Sequence, residues 1–155
     1  MTIKTRLTPL DSAYPSCERT CANFCLFCGE DNPNEITDFL GVSPSTVSVL
    51  GREVTNSYGK PRRETKNAWF LKSEHEVKSK DLREHLDWIL ARLLPVKEKF
   101  AALHERENYS MRVFCPWWAQ EGSGGPALWP EQMRGLADLN LELCFDFAYY
   151  GDEEE

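Results

Sequence analysis

The stretch from Thr20 to Cys28 limits the architecture of this chain more than any other feature. Apolar side chains occupy both sets of alternating positions in it, and Asn23 is the one polar interruption. A strand that is apolar on both sides is buried on both sides, so it belongs in the middle of a sheet or between two layers. Residues 29–32 (Gly-Glu-Asp-Asn) then favour a turn. We therefore predict a central β-strand at the start of the domain.

Two segments have the spacing of amphipathic helices. Residues 33–40 begin with Pro after a capping Asp or Asn, repeat apolar side chains at offsets of three and four, and precede Gly41, which favours a left-handed helix end. Residues 82–94 carry a continuous stripe of leucine and isoleucine. Pro95 removes a backbone hydrogen bond, so we expect the second helix to kink or restart there.

Shorter patterns complete the chain. Apolar or alternating runs predict strands over residues 46–50, 68–71, 111–115 and 141–149. Pro116 is expected to end the third of these strands or to mark a sheet edge. Pro130 opens a further helix, and the segments between these elements, 51–66 and 120–126, have the glycine and proline content of loops.

The order of these elements predicts the fold class. It is β-α-β-β-α-β-α-β, and its first six elements match the split βαβ pattern of ferredoxin-like folds. Helices of such a pattern pack on one face of a sheet. We therefore expect an α+β fold, with a mixed, largely antiparallel sheet, helices packed on one face, and a ferredoxin-like β-α-β-β-α-β core extended by α-β.

Length and terminal composition suggest the domain boundaries. The chain has 155 residues, the size of one domain. Residues 1–19 show no apolar period and suggest a loosely ordered N-terminal arm, residues 20–150 a single α+β domain, and residues 151–155 an acidic tail. No apolar run approaches the roughly 20 residues of a membrane span, and no secretory leader is visible. We expect a cytoplasmic protein without membrane association.

The charge of the chain bears on its partners. The net charge is −7, and residues 73–155 alone carry nine Lys/Arg and 17 Asp/Glu. A domain this acidic repels phosphates over most of its surface, so we expect no nucleic-acid partner. The acidic surface favours a basic protein partner instead, with Asp152, Glu153 and Glu154 of the tail as candidate contacts. Solubility alone explains the same charge.

Three tryptophans are further candidates for partner binding. Trp117, Trp118 and Trp129 bracket the glycine-rich segment 120–126. Large aromatic side chains near a flexible loop can anchor an interface. They can equally fold over the open end of the sheet as a satellite core.

The cysteines allow three interpretations. Cys21, Cys25 and Cys28 form a C-x3-C-x2-C pattern that resembles the signature of radical S-adenosylmethionine enzymes, which implies a [4Fe–4S] cluster on these three thiolates. A strand, however, points Cys25 and Cys28 to opposite faces. The Cys25-x-x-Cys28-Gly29 run also resembles half of a zinc knuckle, but the second half has no close Cys/His pair. We favour free, buried thiols that pack as small hydrophobes, with no metal and no cofactor.

The segment FCGEDNPNEITDFLGVSP, residues 27–44, resembles the start of the bacterial domain of unknown function 4279. Trp69 in a short strand, the helix closed by Pro95 and the strand Leu141–Phe147 extend the likeness over about residues 20–150. The resemblance implies a small cytoplasmic domain without an assigned activity. Some small bacterial families of this kind act as immunity proteins to secreted toxins, which is an analogy.

Three functions follow as hypotheses. The first is a non-enzymatic protein-binding domain, of immunity or antitoxin type, that masks a basic partner. The second is an iron–sulfur enzyme of the radical S-adenosylmethionine kind that uses the three clustered cysteines. The third is a small-ligand sensor, since ferredoxin-like sheets can bind metabolites between their helices and strands. We predict no catalytic residue.

Overall fold

One mixed sheet, a small hairpin and a set of helices make up the fold. The computed structural model describes residues 5–151. Their strands are β1 (Cys17–Thr20), β2 (Asn23–Cys28), β3 (Thr46–Ser48), β4 (Glu53–Thr55), β5 (Pro61–Arg63), β6 (Ala68–Lys72), β7 (Tyr109–Ala119) and β8 (Glu142–Ala148). Their helices are α1 (Pro33–Leu40), α2 (Leu82–Leu93), α3 (Lys97–His104) and α4 (Pro130–Asp138), with a 3-10 turn (Leu94–Val96) between α2 and α3.

The main sheet runs in the order β3-β6-β2-β7-β8. The strand β1 continues the line of β2 and pairs with the far end of β7. Neighbouring strands are antiparallel except for β7 and β8, which are parallel. The α+β class predicted from the sequence is confirmed. The segment 51–66, predicted as a loop, instead contains the hairpin of β4 and β5, which pair with each other and not with the main sheet.

The core lies between the sheet and the helices. Phe24, Leu26 and Cys28 of β2 are fully buried in one cluster to which all four described helices contribute. Because side chains alternate along a strand, Cys25 and Phe27 point to the other side of the sheet, which we call the open face. Each large apolar side chain buried in the cluster stabilises the fold by about 1.5–3 kcal/mol.

The central strand predicted over residues 20–28 is interrupted. β1 ends at Thr20 and β2 begins at Asn23. The same break explains why Pro116 does not end β7, which continues to Ala119. Thr20 pairs with Trp117 and Asn23 with Phe114, so Pro116 lies opposite the gap, where its missing N–H removes no ladder bond to β1 or β2.

Pro95 acts on the helices as predicted. α2 ends at Leu93, the 3-10 turn contains Pro95, and α3 begins at Lys97. A proline cannot donate the hydrogen bond that would continue α2, so the helix restarts after it. Within residues 5–151, no helix combines the length and the apolar character that a bilayer crossing requires.

The N-terminal segment is tied to the domain by hydrogen bonds. Arg83 donates to the carbonyl oxygens of Thr8 and Pro9 at 2.6 and 3.0 Å, and the Tyr14 hydroxyl donates to a carbonyl in the glycine-rich segment at 2.8 Å. β1 begins at Cys17, within the range 1–19 suggested as a loosely ordered arm, because β7 is long enough to pair with it. Residues 1–4 and 152–155 lie outside the described residues.

Candidate functional site

The strand β8 forms a free edge of the main sheet. Within the described residues it pairs with β7 alone. Phe145, Phe147 and Tyr149 are 37%, 58% and 49% exposed, and Tyr150 next to them is also exposed. We call Phe145, Phe147, Tyr149 and Tyr150 the aromatic edge. Exposed groups of large apolar side chains are frequent at binding surfaces, so we take the aromatic edge as a candidate site.

The aromatic edge corrects one prediction from the sequence. The alternation over residues 141–149 predicts a strand with one buried apolar side. The strand is present, and Leu141 and Leu143 do belong to or pack against the core cluster. Phe145 and Phe147 share their side of the sheet but lie beyond the cluster, so the same pattern continues into solvent. The sequence reasoning therefore missed these rings as candidates for binding.

The rings of the edge are held in a defined arrangement. Phe145 and Phe147 stack with centroids 5.4 Å apart, and Phe147 meets Trp117 edge-on at 5.9 Å. Trp117 is only 1% exposed and is the register partner of Phe147. A small cavity of about 190 Å³ lies between Trp117, Phe147, Tyr149 and the glycine-rich segment. The buried Trp117 ring therefore packs against Phe147 and holds it in position.

The structure does not bring the three candidate tryptophans into one site. Trp118 lies on the open face, where the Arg19 guanidinium sits 3.9 Å from its ring centroid. Trp129 lies just before α4, and the guanidinium groups of Arg6 and Arg83 lie 4.5 and 4.8 Å from its ring centroid. Cation–π pairs of this kind fix a ring in place. The remaining candidates, Asp152, Glu153 and Glu154, lie outside the described residues.

Arg83 connects Trp129 to a buried ion pair. Its guanidinium donates to both carboxylate oxygens of Asp81 at 2.9 and 2.7 Å, and both side chains are essentially inaccessible. Burial alone would raise the pKa of Asp81, but the hydrogen bonds from Arg83 and from the Asp11 N–H outweigh it and lower the pKa. The carboxylate therefore stays ionised, and the pair joins α2 to the N-terminal segment and α4.

The clustered cysteines are buried, and Cys25 and Cys28 lie on opposite faces of the sheet. Cys21 lies in the gap between β1 and β2, Cys28 belongs to the core cluster, and Cys25 lies on the open face. Burial raises the pKa of all three thiols, and that of Cys28 reaches about 11, so they are protonated near neutral pH. Among residues 5–151, no group of three or more His, Cys, Asp or Glu side chains is arranged to hold a metal ion.

A concavity lies on the open face. It has a volume of about 470 Å³ and lies where β2 and β7 meet the loops that precede β4 and β6. Phe27, Lys66, Arg112 and Glu142 are among its lining residues. We call it the open-face cavity. It is separate from the aromatic edge, with which it shares no residue.

The fold and these surfaces define an α+β domain with one helical face, one open face and a free aromatic edge. The chain matches the sequence profile of a family described as a domain of unknown function (DUF4279) over residues 18–150. It therefore belongs to this family, and the resemblance based on residues 27–44 is confirmed. No curated protein and no solved structure matches the chain.

Proposed function

We propose that this chain is a non-enzymatic protein-binding domain that receives an extended segment of a basic partner protein along β8. The observation that supports it is the edge strand β8, which pairs with β7 alone within residues 5–151, together with four exposed aromatic rings on it and directly after it. An extended peptide can add a strand to such an edge, where main-chain hydrogen bonds give affinity and alternate side chains give specificity. The Phe145 and Phe147 rings would receive the apolar side chains of that segment.

The character of β8 supports binding to a partner. Soluble proteins normally protect a sheet edge by shortening it, charging it or covering it. β8 spans seven residues, pairs with β7 alone within residues 5–151, and carries Phe147, whose side chain is more than half exposed on one face of the sheet. Aromatic side chains in a fixed packing arrangement are frequent anchors of protein interfaces, because few rotamers are lost on binding. Trp117 provides that fixed packing for Phe147.

The charge near β8 supports a basic partner. Four acidic residues, Asp152-Glu153-Glu154-Glu155, follow Gly151 directly in the sequence. At neutral pH these four carboxylates add to the negative electrostatic field of an acidic chain. Such a field raises the rate of encounter with a positively charged protein. An immunity or antitoxin-type protein would use this edge to mask a basic partner.

The strand order supports a finer assignment of the fold. Taken as β2, α1, β3, β6, α2 and β7, the core elements follow the split βαβ order, and their strands lie as β7-β2-β6-β3 with antiparallel neighbours. We infer a ferredoxin-like core, to which α4 and β8 are added. The cytoplasmic location stays a prediction of the sequence.

Affinity capture with matched variants tests the proposal. The tagged chain, its Phe147→Lys variant and its Tyr58→Lys variant are each incubated with lysate of the source cell at low and high salt. Tyr58 is an aromatic residue that is more exposed than Phe147 and lies in the hairpin of β4 and β5, so Tyr58→Lys is the control. We expect a basic protein that Phe147→Lys loses, that Tyr58→Lys retains, and that high salt releases.

Hydrogen exchange of the purified complex then locates the contact. Protection of the amides over residues 142–150 is the expected result. Protection elsewhere with none on β8 contradicts the proposal. Sedimentation of the chain alone is the second check, because a dimer that Phe147→Lys dissociates would make a second copy of the chain the occupant of the edge and would overturn the basic partner.

A further inference from the structure

We propose that the open-face cavity binds a small organic anion that carries a planar ring next to a carboxylate or phosphate group. The inference concerns a different face from the aromatic edge and does not depend on the proposed protein partner. It rests on the volume of the cavity, on two cations that form no ion pair within residues 5–151, and on a half-buried aromatic floor.

The volume suits a ligand of this size. The cavity measures about 470 Å³, within the range of about 300–1,000 Å³ that is usual for small-molecule sites. Phe27, Ser110 and Arg112 form its floor, because register pairs place them on the open sides of β2 and β7. Leu50, Lys66 and Asn108 lie around them on the adjoining loops and turn.

The walls are braced by their own contacts. The buried Asn67 side chain accepts the Leu50 N–H at 2.9 Å and donates to the Gly29 carbonyl at 3.0 Å, which joins two loops at the rim. The backbones at Gly29 and Asn108 approach closely, since a Cβ at Gly29 would lie 3.0 Å from that of Asn108. Asn108 itself has a φ of 64°, an uncommon conformation for a residue other than glycine. These contacts shape the cavity before any ligand arrives.

The charges in the cavity favour an anion. Lys66 and Arg112 both line it, and neither forms an ion pair within residues 5–151. Glu142, the register partner of Arg112 on β8, is the acidic lining residue. Two cations against one carboxylate leave the site positive in a chain whose net charge is −7. Lys66 and Arg112 are exposed, so they can turn toward a ligand without disturbing the core.

The floor favours a planar ring beside the anionic group. Phe27 is half-buried and meets Phe70 edge-on at 6.1 Å, which holds its ring in place. The Lys66 ammonium lies over the Phe27 ring, 5.0 Å from its centroid. Because the Lys66 side chain is exposed, it can move aside, so that one ligand stacks on the ring and pairs with the cation. Arg112 presents a guanidinium suited to bidentate recognition of a carboxylate or phosphate. The exposed Ser110 hydroxyl adds a donor at the same place.

Isothermal titration calorimetry of the full chain tests this site with four probes. Adenosine 5′-monophosphate and 4-hydroxybenzoate combine a ring with a phosphate and with a carboxylate, respectively. Adenosine and inorganic phosphate each supply one half of the chemistry. We expect at least one ring-bearing anion to bind with a dissociation constant below about 1 mM, and both half-probes to bind at least about tenfold more weakly. The stronger of the two anions identifies the source of the negative group.

Charge variants locate the binding. We expect Arg112→Gln and Lys66→Gln each to weaken the better probe about tenfold, since a charge-assisted hydrogen bond is lost. Glu142→Gln should strengthen the binding of the same probe, because it removes the negative charge of the acidic lining residue. Lys72→Gln is the matched control, because Lys72 lies on the same face and over Phe70 but does not line the cavity. The proposal is overturned if neither ring-bearing anion binds at about 10 mM, ten times the expected limit, or if Lys72→Gln weakens binding as much as Arg112→Gln does.

Discussion

His85 is a buried imidazole of α2 whose two nitrogens are both engaged. Its Nδ1 lies 2.6 Å from the Ser73 hydroxyl oxygen and its Nε2 lies 2.7 Å from the Ser79 carbonyl oxygen. A carbonyl oxygen can only accept, so Nε2 carries the proton and Nδ1 accepts from the Ser73 hydroxyl. The neutral imidazole therefore satisfies both contacts. The pair resembles a nucleophile and its base, but Ser73 is fully buried, which assigns it to structure.

This environment makes the stability depend on pH. Burial lowers the pKa of His85 below its ordinary value of 6.5. At a pH between the two pKa values, the imidazole is protonated in the unfolded chain but not in the folded chain. The contribution of His85 to the free energy of unfolding is therefore fully present above about pH 6.5, and it decreases as the pH falls from there toward the folded pKa. We expect the free energy of unfolding, measured with urea between pH 7.5 and pH 5, to decrease for the natural chain.

The variant His85→Gln separates this effect from other titrations. It loses a buried hydrogen bond and is less stable at every pH, by about 1–3 kcal/mol. Its free energy of unfolding should nevertheless change less between pH 7.5 and pH 5 than that of the natural chain, because the titrating imidazole is gone. Equal slopes in the two proteins would contradict the assignment of the pH dependence to His85.

At the scale of elements, the helix α4 packs closely on α2. Gly135 of α4 permits this, because a Cβ at that position would lie 2.8 Å from Cδ1 of the buried Leu90. Alanine is favoured over glycine in a helix by about 1 kcal/mol, whereas overpacking of a core costs about 1–3 kcal/mol. We expect Gly135→Ala to lower the free energy of unfolding by about 1 kcal/mol in urea denaturation.

If this packing is correct, the effect of Gly135→Ala on the free energy of unfolding should change sign when Leu90 is shortened. In a Leu90→Ala background the obstructing side chain is absent, so Gly135→Ala should raise the free energy of unfolding by up to about 1 kcal/mol, through helix propensity alone. Leu90→Ala by itself destabilises the protein by about 2–5 kcal/mol, so the comparison is made between the single and the double variant. A stabilising effect of Gly135→Ala in the natural background would show that α2 and α4 do not pack this closely.

Elements with a complete local signal were predictable, and those set by distant partners were not. α1 has its signals in sequence: Asn32 caps it through the Asn34 N–H, and Gly41 ends it at a φ of 70°. The continuation of β7 past Pro116 depends instead on the gap between β1 and β2, which lies more than ninety residues earlier in the sequence. The hairpin of β4 and β5 has short, mostly exposed strands, so no alternation of burial marks it.

At the scale of the whole molecule, a candidate site depends on which part of each face the helices cover. The alternation over β8 predicts the side of the sheet on which Phe145 and Phe147 lie. It does not predict that the core cluster ends at Leu143, because that depends on how far the helices cover the sheet. The tryptophans show the same limit, because Trp129 is positioned by Arg6 and Arg83, far apart in sequence. The sequence did not predict that Lys66 and Arg112 line one cavity, because they come from separate segments of the chain.

The reactivity of the six cysteine thiols reports how well the whole fold buries them. All are free, and Cys144 is partly exposed whereas the other five are buried. Burial raises the pKa of Cys17 and Cys28 to about 11, and that of Cys115 upward as well, so these thiols are protonated as well as inaccessible. Only a thiolate reacts readily with a disulfide reagent. We therefore expect 5,5′-dithiobis-(2-nitrobenzoate) at pH 8 to modify one thiol rapidly in the native protein and six after unfolding in urea.

The same titration distinguishes packing from metal binding at Cys21, Cys25 and Cys28. If these thiols only fill space, a chelator leaves the native count at one, Cys144→Ser abolishes the rapid phase, and metal analysis of the anaerobically purified protein shows no stoichiometric iron or zinc. If they held a zinc ion or a cluster, the chelator would release three further reactive thiols together with the metal. That outcome would require the gap between β1 and β2 to open, since β2 places Cys25 and Cys28 on opposite faces of the sheet.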